Sequence, residues 1–376
     1  MSQMWIGHCP NNAVEGRAML RAISKKQFDA YCYVRQPIVR VYSREIAWFE
    51  AVNRKLLAFI VFDCTDSDFG HIILGRDSRK LFRCISVSGN FFATSEEAYA
   101  DLETAIIPFI NDGQDFYPQG DEVVPPHEIF SPFVKEEKQH PYFKMLANEE
   151  RFEAARNLIK EIAYSFVDVD GNYIQQFQSD GFDARLWELY LYVYLYNAGF
   201  EFIRDEVEIG PDGQVRSVFL TPSTTPTIKT VKSEQHTYKH KTIPSKFFKQ
   251  PNSENVSAVL YSNAATITTF NRMGKLAGLG SRDIKMIRQG MKAHPDPSSF
   301  HPIPFAADVD DPDYEEAWGD SIVMYHNPDA LHPVDPFPDI SHIIYDEATD
   351  EFSAILNPNE IFSSVTFVLV PTAAED

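Results

Sequence analysis

Residues 183–197 read DARLWELYLYVYLYN, and this stretch decides how the rest of the chain must fold. Apolar or aromatic side chains fall on nearly every face of a helix drawn through it, and Gly199 offers a place for that helix to end. A helix that is apolar on all sides is buried on all sides. We therefore predict a central helix over 183–197, with Trp187 mostly buried.

Two charged residues interrupt this apolar helix. Arg185 and Glu188 are three positions apart, so their side chains share one helix face and can form an ion pair. Because an unpaired buried charge is strongly destabilising, both residues must have partners. Two interpretations stay open: a structural ion pair, or a functional carboxylate held in place by its arginine.

The segment before this helix predicts a second one. Asn148 can cap a helix whose apolar residues recur on one face, namely Phe152, Ala155, Leu158, Ile159, Ile162 and Phe166. Residues 168–172 (DVDGN) are similar to the start of a calcium loop, but Gly171 is fourth where an EF-hand needs glycine in sixth place. These residues therefore predict a turn between the two helices.

The N-terminal part predicts strands. Four apolar or β-branched runs are separated by short turn-forming stretches, and they cover 46–52, 56–62, 71–74 and 81–87. Such short connections favour an antiparallel meander. Thr94, followed three residues later by Glu97, is typical of the start of a helix, which we expect to cover this sheet.

Beyond residue 250 the pattern is again mainly β. Strand-like runs cover 256–261, 321–325, 342–345, 352–356 and 361–370, with a helix predicted over 266–276. The predicted class is α+β: an N-terminal antiparallel β-meander with a helix, a central helical segment and a C-terminal mixed β-rich part. The predicted divisions are 1–111 (N-terminal domain), 112–146 (linker), 147–206 (helical core segment), 207–250 (basic connector) and 251–376 (C-terminal domain).

The composition is typical of a soluble cytoplasmic protein. Hydrophobic residues make up 44% of the 376 residues, enough to fill real cores. We expect no membrane association, since no apolar run approaches the roughly 20 residues that cross a bilayer. The first ten residues also lack the pattern of a secretory leader. The four cysteines form no C-x-x-C pair, so we expect reduced thiols.

Charge is unevenly distributed along the chain. The net charge of −20 opposes the approach of a polyanion, so a protein partner is favoured over nucleic acid. Residues 216–249 nevertheless carry seven Lys or Arg and one acid, whereas 291–360 carry sixteen acids and one base. Candidate residues for partner or nucleic-acid binding are Lys239, His240, Lys241, Lys246 and Lys249. The alternatives for this segment are a solvated hairpin and a surface that docks on the chain's own acidic part.

Histidines are concentrated in the same acidic region. Imidazole and carboxylate groups are ligands of zinc, manganese and non-haem iron, and carboxylates also bind magnesium. The candidate metal ligands are His294, His301, His326 and His332, together with His342. Their spacing does not force them toward one point, so the alternative is a set of loop histidines bonded to the backbone.

Four stretches carry a resemblance to a known family. They are 68–77 (DFGHIILGRD), the run from 166 to 191 that contains QSDGFDARLWELYL, the run from 254 to 274 that contains ENVSAVLYSN and FNRMG, and 326–328 (HNP) followed by His332 and Pro333. No P-loop, dinucleotide fingerprint, nucleophile elbow or H-E-x-x-H motif is present. The chain resembles a family of uncharacterised bacterial proteins that are similar to PD-(D/E)XK nucleases.

The resemblance implies a catalytic role for Glu188 with Arg185 and Asp212. It also implies a strand with Pro-Asp and a strand with an acidic pair after the helix, and this sequence departs from that pattern. Pro211 and Asp212 stand between Gly210 and Gly213, which is typical of a turn. Two-metal chemistry needs several converging carboxylates, so one helix glutamate is not enough.

Three hypotheses follow from these observations. The first is a nuclease-related protein without a complete catalytic core, acting as a binding or interaction module in mobile-element or phage conflict. The second is an active metal-dependent nuclease or hydrolase that uses Glu188 with Asp205, Glu206, Glu208 or Asp212, or else the C-terminal histidines, with Mg, Mn or Zn as cofactor. The third is an acidic scaffold without chemistry.

Overall fold

The computed structural model describes most of the chain. The described residues are 20–32, 42–122 except 53, 128–200 except 167, 169 and 170, and 253–371 except 297, 298, 300, 347–350 and 358, together with the backbone of 236–238 and 241–243. Helices and strands both contribute substantially, so the α+β prediction is confirmed. No helix among these residues is long and apolar enough to cross a membrane.

The N-terminal sheet is an antiparallel meander of five strands in chain order. Its strands are β1 (Arg21–Ile23), β2 (Ser43–Ala51), β3 (Leu56–Asp63), β4 (Phe69–Arg76) and β5 (Phe82–Val87). The predicted meander is therefore confirmed. Strand β1 and helix α1 (Lys25–Tyr31) were not predicted from the sequence. Ser24 and Gln27 form a capping box at the start of α1.

Both faces of strand β3 are buried. Leu56, Ala58 and Ile60 pack into a cluster beneath helix α2 (Ser95–Ala105), whereas Leu57 and Phe59 pack into the larger central core. Successive strand residues point to opposite faces, so a strand buried on both sides needs a continuous apolar run. The predicted covering helix begins as expected, because Thr94 accepts a hydrogen bond from the Glu97 backbone nitrogen at 3.3 Å. A short helix, α3 (Ile107–Asn111), follows it.

The central helices differ from the prediction at Asn148. That residue is the last of helix α4 (Pro141–Asn148), and helix α5 (Glu153–Ala163) begins without a side-chain cap. The prediction that Asn148 caps α5 is therefore wrong, because Pro141 starts an earlier helix. Between α4 and α5 lies a three-residue 3₁₀ turn.

Helices α6 (Tyr173–Gln178) and α7 (Phe182–Asn197) follow. The turn before them matches the prediction, because the Asp168 carboxylate accepts hydrogen bonds from the backbone nitrogens of Gly171 and Tyr173 at 2.9 Å each. Helix α7 is the predicted apolar helix, and nine of its residues are buried. Trp187 is mostly buried, as predicted, and packs at the edge of the core.

The tyrosines of α7 show how an apolar helix can carry polar atoms into a core. Tyr190, Tyr192 and Tyr194 are buried, and each hydroxyl donates to a backbone carbonyl of another segment. The acceptors are Trp318 at 2.7 Å, Ser165 at 2.8 Å and Pro338 at 2.9 Å. Because a buried hydroxyl needs a partner, these bonds join α7 to the segment after α5 and to two C-terminal segments more specifically than apolar contact alone would.

The C-terminal part contains two sheets and one helix. A mixed sheet has the order β13 (Glu351–Ile355), β12 (Ser341–Asp346), β11 (Ile322–His326), β8 (Ala258–Ser262), with β11 and β12 parallel. An antiparallel sheet has the order β10 (Ile303–Asp308), β9 (Lys285–Lys292), β14 (Ile361–Leu369). The five predicted strands are present, whereas β9 and β10 were missed. Helix α8 (Ile267–Leu276) begins at the N-cap Thr266, and Gly278 follows its end with a positive φ.

Helices α5 and α8 approach closely enough to require glycine. A Cβ atom on Gly274 would overlap the backbone carbonyl of Ala154, with 2.6 Å to the carbonyl carbon. Asn271 fixes the same crossing, because its amide accepts from the Ala155 nitrogen at 3.2 Å and donates to the Arg151 carbonyl at 2.7 Å. The two helices thus pack backbone against backbone.

The N-terminal sheet attaches to the end of α8 through two buried arginines. Arg54 donates to the carbonyl of Leu276 at 3.2 Å, and Arg76 donates to the carbonyl of Ala277. These carbonyls have no partner within the helix, and they form the negative end of its dipole. Arg76 also pairs with Glu161 of α5 at 3.3 Å, so one guanidinium joins the sheet to both helices.

We expect Gly274→Ala to lower the free energy of unfolding by about 2–4 kcal/mol, because the added methyl group overlaps backbone that cannot rotate away. Helix propensity alone would favour alanine by about 1 kcal/mol, so the sign of the change separates packing from propensity. Urea unfolding measures it. Gly89→Ala is the matched control, since a Cβ there meets nothing within 4 Å. A stabilised Gly274→Ala protein would contradict the close crossing.

Candidate functional site

The predicted pair of Arg185 and Glu188 forms on helix α7. The guanidinium Nη1 lies 2.6 Å from Glu188 Oε2, and both side chains are partly exposed. The remaining donors are also used: Nε and Nη2 donate to Gln176 Oε1 at 2.9 and 2.6 Å, and Nη2 donates to Asn172 Oδ1 at 3.1 Å. Amide oxygens thus hold the arginine, and the arginine holds the glutamate.

Tyr173 also contacts Arg185, through both its ring and its hydroxyl. Its ring centroid lies 5.5 Å from the Arg185 guanidinium carbon, and its hydroxyl donates to the Arg185 carbonyl at 2.8 Å. Burial, with the nearby Glu188 charge, raises the pKa of Tyr173 well above its ordinary value, so the phenol stays a neutral donor. Every polar group around Arg185 therefore has a structural task, which favours the interpretation as an ion pair.

The other predicted carboxylates cannot be placed beside Glu188. Asp205, Glu206, Glu208 and Asp212 lie outside the described residues. Their convergence on Glu188, which the hydrolase hypothesis requires, stays a prediction.

The basic segment is described in its backbone at one place. Strands β6 (His236–Tyr238) and β7 (Lys241–Ile243) pair antiparallel, with Tyr238 opposite Lys241. This pairing forms a hairpin, which is one of the alternatives that the sequence predicted for the basic segment. Lys239, His240, Lys246 and Lys249 lie outside the described residues, so their binding role stays a prediction.

Two of the predicted histidines contact each other. His326 Nε2 lies 3.1 Å from His342 Nδ1, and His342 Nε2 lies 2.9 Å from the carbonyl oxygen of Phe337. A carbonyl can only accept, which assigns a proton to Nε2 of His342 and leaves its Nδ1 to accept from His326. Burial and the neighbouring His342 lower the pKa of His326, so the His326 ring is neutral near pH 7.

The other predicted histidines have different hydrogen-bond partners or are exposed to solvent. His294 Nδ1 accepts from the Asp296 nitrogen at 3.0 Å, the His332 carbonyl accepts from Ser257 at 2.6 Å, and His301 is exposed. Among the described residues, no three His, Cys, Asp or Glu side chains converge as metal ligands would. The metal prediction stays a prediction, and elemental analysis of the wild type beside His326→Gln would test it.

The sequence reading missed a buried ion network beneath the antiparallel sheet. Glu316 lies 2.8 Å from Arg272 of α8 and 3.0 Å from Arg288 of β9, and it accepts from the Tyr314 hydroxyl at 2.7 Å. Burial alone would raise the pKa of Glu316, but the charges of the two arginines outweigh burial and lower this pKa to about 2. The two arginines are 44 and 28 positions from Glu316 in the sequence, so no local pattern could reveal these ion pairs.

A second cluster was also not predicted from the sequence. It links the buried carboxyl groups of Asp320 and Glu360 through neutral groups. Glu360 accepts from the Ser341 hydroxyl, which in turn accepts from the Asn357 nitrogen at 2.8 Å. The Asn357 amide reaches Asp320 at 3.5 Å, and Asp320 also accepts from the Ala317 nitrogen at 2.7 Å. Burial is the main cause that raises the pKa of Asp320 to about 7 and that of Glu360 to about 7.

The surface of the C-terminal sheets is unusually apolar. Strand β14, at the edge of its sheet, exposes Val365, Phe367 and Leu369 to about half of their surface, with 51, 47 and 54% accessible. Further exposed large apolar side chains in this part are Ile355, Leu356, Phe362 and Val370. Clustered exposed apolar residues mark interaction surfaces, whereas scattered ones do not. Alternating residue types in β14 indicate a strand with one buried face. In the structure, the face that carries Val365, Phe367 and Leu369 is the exposed one.

Comparison with known proteins gives no relative from which a function could be taken. No protein-family model matches the chain, and neither a curated protein nor a solved structure matches it. The nuclease resemblance therefore rests on the sequence motifs alone.

We expect the free energy of unfolding to fall as the pH rises from about 5 to about 8. Asp320 and Glu360 have folded pKa values near 7, above their ordinary values of 3.8 and 4.5, so their contribution is complete below the ordinary values and is lost through pH 7. The slope is up to about 1.4 kcal/mol per pH unit for each carboxyl.

Urea unfolding across this pH range measures the effect. Glu360→Gln keeps an acceptor for Ser341 and cannot ionise, so it should reduce the slope to the share of Asp320. Asp335→Asn, at an exposed acid of the same region, is the control and should leave the slope unchanged. A wild type whose stability rises over this range would contradict the buried pair.

Proposed function

We propose that this protein is a nuclease-related interaction module that lacks a complete catalytic core and binds a protein partner. The observation that carries the proposal is the bonding of Glu188, the carboxylate to which the resemblance gives a catalytic role. Arg185 occupies its Oε2 at 2.6 Å, and two amide side chains hold that arginine. A divalent cation at Glu188 would have to displace this guanidinium.

The chemistry of phosphodiester cleavage supports the same proposal. In-line displacement needs an activated water and a stabilised leaving oxygen, and metal-dependent nucleases obtain both from cations bound by several carboxylates. A salt-bridged glutamate on a helix surface supplies one ligand. The net charge of −20 also slows the approach of any nucleic acid.

The binding role is supported by the surface of strand β14. Exposed Val365, Phe367 and Leu369 form an apolar stripe, and such stripes are common where proteins bind other proteins. The proposed setting is mobile-element or phage conflict, where nuclease-related proteins meet protein partners. The rival hypotheses, a working hydrolase and an acidic scaffold, are decided by the experiments below.

We expect no cleavage of supercoiled plasmid, single-stranded DNA or RNA by the purified protein in magnesium or manganese. Gel electrophoresis of the products measures it, with Glu188→Ala as the control for a contaminating nuclease. Cleavage that Glu188→Ala abolishes would establish the hydrolase and overturn the proposal. Equal cleavage in both proteins that repurification removes would be a contaminant, whereas equal cleavage that persists would also overturn the proposal and would point to the C-terminal histidines.

A further inference from the structure

The outer edge of strand β14 is built to accept another strand. It pairs with β9 over its whole length, from Ile361 opposite Lys292 to Leu369 opposite Lys285. No other described strand pairs with its second edge. Alternate residues of this nine-residue strand therefore direct backbone donors and acceptors toward the free edge, which is the geometry used when an extended peptide adds to a sheet.

Buried charges hold this strand from its inner face. Arg272 Nη1 donates to the Thr366 hydroxyl at 2.8 Å, and Arg288 Nε donates to the Ser364 hydroxyl at 3.2 Å. Both arginines are fixed by the buried Glu316. The edge is therefore rigid before a partner arrives, so binding loses little conformational entropy in this strand.

Apart from the bulge between Ile361 and Ser363, the edge lacks the features that soluble proteins use to prevent pairing. Residues 361–369 read IFSSVTFVL, without a charged residue or a proline. Protected edges usually carry lysine, proline or inward charges, or they are very short. A nine-residue uncharged edge whose outward residues are valine, phenylalanine and leucine is an aggregation hazard unless something binds it.

Charge indicates which occupant fits. Phe367 is opposite Ile287, which is opposite Asp308, so this acid lies in the same row on the outer face, roughly 10 Å from the edge. Residues 291–360 hold sixteen acids and one base, and the whole chain has a net charge of −20. A second copy would bring the same negative charge, whereas a cationic segment would be attracted. Lys285, opposite Leu369, is the basic exception in the outer rows.

We propose that β14 docks an extended polypeptide segment with apolar residues at alternate positions and lysine or arginine on both sides. The segment adds as a strand to the free edge of β14. Its alternate apolar side chains pack beside Val365, Phe367 and Leu369, and its flanking cations lie in the negative field of the C-terminal part. This inference rests on the proposed interaction role and names the partner's chemistry.

A set of synthetic peptides tests the proposal on the full chain. Each peptide has alternating valine and threonine in its centre, and its flanks are lysine, serine or glutamate. A fourth peptide has the lysine flanks and N-methyl groups on alternate amides, which removes strand donors without changing the charge. Fluorescence anisotropy measures binding at low and high salt, and sedimentation measures the oligomeric state.

We expect the lysine-flanked peptide to bind more tightly than the serine-flanked one, and the glutamate-flanked one to bind most weakly. N-methylation should weaken binding by about tenfold or more, and added salt should reduce the difference between the flanks. Phe367→Thr should weaken binding by about tenfold, because an apolar contact is lost while strand propensity is kept. The control Phe133→Thr removes a more exposed phenylalanine outside the sheets and should change affinity by less than about twofold.

Four results would overturn the docking proposal: no peptide binding, equal binding of the lysine and glutamate flanks, binding that resists N-methylation, or unchanged binding by a folded Phe367→Thr protein. A dimer that Phe367→Thr dissociates would assign the edge to a second copy and would equally overturn it. Circular dichroism and the urea midpoint confirm that each variant is folded. Failure here without nucleic-acid cleavage removes the partner assignment alone, whereas Glu188-dependent cleavage removes the interaction role itself.

Discussion

The crossing of α5 and α8 is the contact on which the rest of the structure depends. Gly274 allows the backbones to meet, and the carbonyls at the end of α8 accept hydrogen bonds from Arg54 and Arg76 of the N-terminal sheet. The same helix carries Arg272, whose guanidinium reaches the C-terminal sheet. One short helix therefore joins both β parts, and the central core contains side chains from Ile23 to Ile340. Both β parts contribute side chains to this core, and the N-terminal sheet has a second, smaller cluster beneath α2.

Buried charge is the second theme of the structure. The acidic character of residues 291–360 suggests a solvated surface, yet Glu316, Asp320 and Glu360 are among its most buried residues. Glu316 stays ionised because two arginines surround it, whereas Asp320 and Glu360 have neutral partners and raised pKa values. Composition alone cannot separate these cases, since the pKa of a carboxyl depends on which groups face it.

The buried network and the proposed docking edge are two sides of one strand. Thr366 and Ser364 point inward to Arg272 and Arg288, and the alternate residues Val365 and Phe367 point outward. The ion network thus stiffens the strand that presents the apolar stripe. The pair of Arg185 and Glu188 is different, because its contacts are with residues of α6 and α7 and the turn before them. A structural role explains this geometry: the ion pair neutralises two opposite charges on an apolar helix.

The sequence by itself determined the parts of this protein that depend on local pattern. Periodicity identified the antiparallel meander, the burial of α7 and the C-terminal strands, and the three-residue spacing identified the pair of Arg185 and Glu188, because neighbours along a helix or strand share a face. Tertiary structure alone decided the arginine partners of Glu316, the close crossing of α5 and α8 at Gly274, and which face of β14 is exposed. Each of these depends on groups that are far apart in the chain, and a one-dimensional pattern carries no information about which distant groups meet.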